Sequence, residues 1–201
     1  MQVFFKFKIL IFSLFILGSC NSSNEQQEIN TTSEPTQTPI YFPVTDFLLG
    51  QLHQLDSMPV TPLKIIKNGK NKIDSVWLKR EDIRQFAQPF LTPVIDSISV
   101  SPYFSVKSFL DQTINSITLT YDPKVKLPQN LHLRRWDVYI DPQSGTVKRI
   151  YIVKEFGNDR LDSTVQLTWN VRSECSIRTI EPLPANQSRI KEEKMIWNFD
   201  Q

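Results

Sequence analysis

Val165, Leu167, Trp169 and Val171 alternate without interruption with Thr164, Gln166, Thr168 and Asn170. A period of two puts the first set on one side of an extended chain and the second on the other, so the segment reads as a half-buried strand with one wet face. Similar alternation recurs in Ile117, Leu119 and Tyr121 and in Trp136, Val138 and Ile140. Strand-like runs at 147–153, 174–180 and 190–199 complete the set. The stretches Asp141-Pro142-Gln143-Ser144-Gly145 and Gly157-Asn158-Asp159 carry residues suited to tight turns. Parallel neighbours need crossovers of a dozen residues or more, so short links demand an antiparallel meander.

Before these strands the periodicity is helical. Leu48, Leu52 and Leu55 predict a short helix over 46–56, with Thr45 as N-cap and Val44 and Leu49 as a hydrophobic staple. Ile83, Phe86, Ala87, Phe90 and Leu91 predict a second, opened by an Asp82–Gln85 capping box and ending or kinking at Pro89. Between them, Asn68-Gly69 joins 63–67 to 72–78 as a hairpin. The expected fold class is α+β: an antiparallel meander of about six strands, with two short N-terminal helices packed on one face. Residues 41–201 read as a single domain. Two stretches, Tyr41-Phe42-Pro43-Val44 and Tyr103-Phe104-Ser105-Val106, are similar, as are Ile73-Asp74-Ser75-Val76 and Ile114-Asn115-Ser116-Ile117. A worn duplication near 41–102 and 103–201, or coincidence, fits them.

The five glycines stand at 18, 50, 69, 145 and 157, none close enough to another to cradle a phosphate. Two histidines and two cysteines do not furnish the usual zinc set, so no metal or cofactor is expected. Once Lys6 and Lys8 are set aside as part of a leader, basic and acidic residues balance at 21 each, which argues against nucleic acid as a partner.

Residues 1–19 read as a signal peptide. Lys6 and Lys8 form its positive region and residues 9–17 its apolar run. As helix that run spans only about 14 Å, short of a bilayer core of about 30 Å. It ends in Leu17-Gly18-Ser19-Cys20, which resembles the lipobox of bacterial lipoproteins. The resemblance implies lipidation of Cys20 by a diacylglycerol thioether and acylation of its amine. Asn21 follows where aspartate would signal retention in the inner membrane, so it also implies the periplasmic face of the outer membrane. Residues 20–40 are mostly Asn, Ser, Gln, Thr, Glu and Pro, and read as a disordered tether with an r.m.s. reach of roughly 25 Å.

Candidate chemistry is sparse. Ser188-Arg189-Ile190-Lys191 matches S-x-x-K, but in a strand the two side chains face opposite ways. Cys175, in alternation with Ile177, reads as core; a Cys-dependent hydrolase would pair it with His53 or His132. Acidic residues mostly neighbour basic ones, as in 79–82 and 189–194, and read as solvated surface. Trp77, Trp136, Trp169 and Trp197 fall on separate strands and either fill the core or line an apolar pocket. Asp-Ser precedes an apolar residue or Thr four times, at Ser57, Ser75, Ser97 and Ser163, where average usage gives about half of one. The pattern resembles the acceptor motif of periplasmic O-glycosylation in Bacteroidota-type envelopes, which implies glycosylation at those serines.

The chain is similar in these respects to cell-envelope lipoproteins of that kind. The expected function is a non-enzymatic, lipid-anchored binding or scaffolding module. Its partners are then the membrane, through the lipid, and an envelope protein or lipid. The alternative is a carrier of lipids or lipoproteins with an apolar pocket between sheet and helices.

Overall fold

In the computed structural model, the described residues are 41–69, 72–158, 161–185 and 187–198. Cys20, the expected signal segment 1–19 and the expected tether 20–40 lie outside them. The order along the chain is α1 (Val44–Ser57), β1 (Leu63–Asn68), β2 (Lys72–Trp77), α2 (Arg80–Leu91) and α3 (Ser97–Val100). The strands β3 (Phe104–Asp111), β4 (Ser116–Pro123), β5 (Leu133–Ile140), β6 (Val147–Asn158), β7 (Leu161–Asn170), β8 (Glu174–Leu183) and β9 (Gln187–Ile196) follow.

All nine strands belong to one antiparallel sheet in the order β2-β1-β9-β8-β7-β6-β5-β4-β3. This corrects the expected six-stranded α+β meander with two helices: the sheet has nine strands, and three helices precede β3. β3 escapes a reading by contrast because of its inward set only Phe104 is fully buried, while Phe109 and Leu110 are exposed. The hairpin joins the sheet through backbone bonds from β1 to β9, with Leu63 opposite Ile196, and β2 is exposed along its whole length. Nothing in the side-chain pattern marks that docking.

One face of the sheet and the helices share a core. Leu48, Leu52 and Leu55 of α1 and Ile83, Phe86, Ala87 and Phe90 of α2 belong to the same buried cluster as Trp136, Ile150, Leu167, Trp169 and Met195. Phe90 meets Trp169 edge-on with ring centroids 5.3 Å apart, and Tyr121 stacks on Trp136 at 4.5 Å. The strand read most plainly from sequence has Leu167 and Trp169 in this core, with Val165 and Val171 packed partly buried against it. All these residues lie in one compact unit within 38–201 that carries its own core, the property that lets a domain fold alone.

Local details depart from the expected caps. Thr45 does not open α1: Pro43 does, and the Thr45 hydroxyl instead accepts from the Ile95 N–H at 2.8 Å. Leu49 is exposed, so it forms no staple with the fully buried Val44. Asp82 sits three residues inside α2, its carboxylate accepting from the Lys79 N–H at 3.2 Å. The helix runs through Pro89 to Leu91. Gly145 closes the β5–β6 turn at φ +68°, and Asp141 accepts there from the N–H groups of Gln143 and Ser144. The similar peptides at Tyr41 and Tyr103 take different backbones, the first entering α1 and the second β3.

Candidate functional site

Ile150, Ile152, Lys154 and Phe156 alternate along β6, and the first three are buried on the core face. A lysine at that position is costly unless its ammonium finds partners. Lys154 finds them at the end of α2. Its Nζ donates to the carbonyl oxygens of Pro89 and Thr92. Helix C-terminal carbonyls are unpaired and carry partial negative charge, and the last turn of α2 has no basic side chain of its own. The sheet therefore supplies the cation that caps the helix. Lys154 is only 4% exposed, and burial pushes its pKa down to about 8.

Beside this contact lies a cleft of about 580 Å³. Gln85, Gln88 and Pro89 border it from α2, and Phe156, Val165 and Ile177 form its apolar wall on the sheet. The register explains the grouping: Lys154 pairs with Val165, Val165 with Thr179, and Leu167 with Ile177, so neighbouring strands offer one face together. Phe156 is 40% exposed and leans on His132, whose Nδ1 lies 3.1 Å from the Glu155 carbonyl oxygen. Among the described residues that line the cleft there is no carboxylate.

The sign of the Lys154 linkage follows from its lowered pKa. Between pH about 8 and about 10.5 the unfolded chain holds a proton that the folded chain has released. The site's contribution to stability is therefore complete above pH about 10.5 and is lost as pH falls through about 8. Urea melts at pH values spanning that window should show the wild type gaining stability relative to Lys154→Met as pH rises. A difference that stays constant would contradict the assignment.

The tryptophans are not gathered at one pocket. Trp136 and Trp169 are buried in the core, and Trp197 packs 5.4 Å from Trp169. Trp77 stands on β2 at 60% exposure. The indole N–H groups of Trp136 and Trp169 are buried with no hydrogen-bond partner among the described residues. Cys175 is 1% exposed opposite Trp169, and burial pushes its thiol well above the usual range. His53 is exposed on α1. Ser188 on β9 pairs with Pro182 of β8, while Lys191 turns to Glu193 at 2.7 Å. Ser57, Ser75 and Ser97 are exposed. Ser163 is partly buried, with its hydroxyl 3.3 Å from the Phe156 carbonyl oxygen. Among the described residues no three His, Cys, Asp or Glu side chains group as metal ligands, and no helix is long and apolar enough to cross a membrane.

Lys154 escapes a sequence reading that ends the β6 strand at Val153. The signal lies in the continued alternation through Ile150, Ile152 and Phe156, which puts a cation at a core position. Comparison with protein-family models, with curated proteins and with solved structures finds no match.

Proposed function

We propose that this chain is a lipid-anchored, non-enzymatic binding protein of the cell envelope that holds an apolar ligand in the cleft between α2 and the sheet. The lipobox resemblance at Cys20 supports the anchor and the periplasmic face of the outer membrane. The observation that carries the binding role is the cleft, whose volume lies within the range of small-molecule sites and whose wall is apolar. The core under the helices is already filled by Trp136, Trp169 and Phe90. That leaves room for one slender ligand and disfavours a carrier enclosing the several acyl chains of a lipoprotein. Cys175 offers no accessible thiolate for hydrolysis. The exposed Ser57, Ser75 and Ser97 suit the O-glycan acceptors that the Asp-Ser motif suggests.

The purified unit 38–201 should raise the fluorescence of the neutral apolar dye Nile red. Ile177→Asp puts an unpaired carboxylate on the cleft wall and should weaken that binding by about tenfold or more. Equal titrations for the folded variant and the wild type would defeat the proposal.

A further inference from the structure

Resting on that reading of the cleft, we infer that its occupant is a single-chain carboxylic acid of the long-chain fatty-acid type. Its carboxylate would pair with Lys154, and its chain would lie along Phe156, Val165 and Ile177.

Several observations converge on this ligand. Lys154 contributes a cation to a cleft whose wall is otherwise largely apolar. An ammonium has three donors, and the carbonyls of Pro89 and Thr92 take two, leaving one for a ligand. No carboxylate among the described lining residues competes for it. Of the acids that alternation places on the same sheet face, Glu193 is held by Lys64 and Lys191, each at 2.7 Å, Glu181 lies 3.7 Å from Arg189, and Asp74 stands on the far edge strand β2. Among the described lining residues the other polar side chains are the neutral Gln85, Gln88, Thr92, Asn130 and Thr179, with His132. One point charge with one free donor suits a singly charged head. A phosphate, with up to two charges and more acceptor oxygens, is better met by an arginine fork or several donors, and no arginine among the described residues lines the cleft. An alkyl chain laid on the wall would also cover Phe156, which otherwise stands 40% exposed.

A head-group series on the unit 38–201 tests this with the chain length fixed. Palmitate, hexadecanol and hexadecyl phosphate are titrated below their aggregation limits by calorimetry. Palmitate should bind about tenfold or more tightly than hexadecanol. In Lys154→Met the palmitate affinity should fall to that of hexadecanol, while hexadecanol itself changes little. If hexadecanol matches palmitate on the wild type, the carboxylate inference is wrong although the cleft still binds chains. If hexadecyl phosphate binds tightest, the head-group class is wrong. If none of the three binds, the reading of the cleft fails with it. The wild-type series decides these outcomes even if the Lys154 variant does not fold.

Discussion

Trp169→Ala should cost about 3–5 kcal/mol, a large share of the stability of a domain this size. Its indole is 1% exposed, packed between Phe90 at 5.3 Å and Trp197 at 5.4 Å, with Ile150 and Cys175 as its strand partners. Truncation removes contacts to α2 and to the segment after β9 at once and leaves a cavity that the ladder on either side holds open. Thr168 faces the other way and pairs with Tyr151 and Ser176, so Thr168→Ala should stay within about 0.5 kcal/mol. Trp169→Phe should fall between them, since it keeps a ring but removes an indole N–H that has no partner. Urea melts of the three variants check this order. Equal small losses for Trp169→Ala and Thr168→Ala would mean that the facing of β7 is wrong.

Cys20→Ala should abolish attachment to the outer membrane. The lipobox resemblance places all the acyl chains on that one residue, and two membrane-seeking signals suffice for stable anchoring. No described helix offers a second span. Fractionation of the variant should find it outside the outer membrane, either soluble or retained as an uncleaved precursor. Recovery with the outer membrane at wild-type yield would overturn the proposed anchor.

What the sequence revealed of the sheet follows from contrast between faces. β7 was legible because Leu167 and Trp169 alternate with hydroxyls and amides. β3 was not, because its inward positions include Ser108 and its outer end exposes Phe109 and Leu110. Thr45 has the side chain of a cap, but its hydroxyl oxygen accepts from the Ile95 N–H, fifty residues away, a tertiary partner that no local rule anticipates. Asp137 shows the same limit for charge. It sits beside Arg135 in the chain and looks solvated, yet it is 2% exposed, accepting from Thr120 at 2.6 Å and from Arg135 on the face opposite the main core. The cleft was legible only as the general idea of a pocket between sheet and helices. The tryptophans left core and pocket open, and the lysine that marks the site stands one residue past the point where the sequence reading ended the strand.

The seam between β1 and β9 also sets a timetable for the molecule. Most strand pairings here join segments adjacent in the chain, and those hairpins can form as soon as their second strand exists. The seam is different, because Lys64 must wait for Met195 and Asn68 for Lys191. Until the final strand arrives, the β1–β2 hairpin is a two-stranded ribbon with both edges bare, and such a ribbon is barely stable alone. A chain synthesised from its N-terminus therefore carries an unmatched pairing surface until its last strand is made. Its folding is gated by loop closure at the end of synthesis, and the interval before that closure is when the hairpin is most open to pairing with a neighbouring chain.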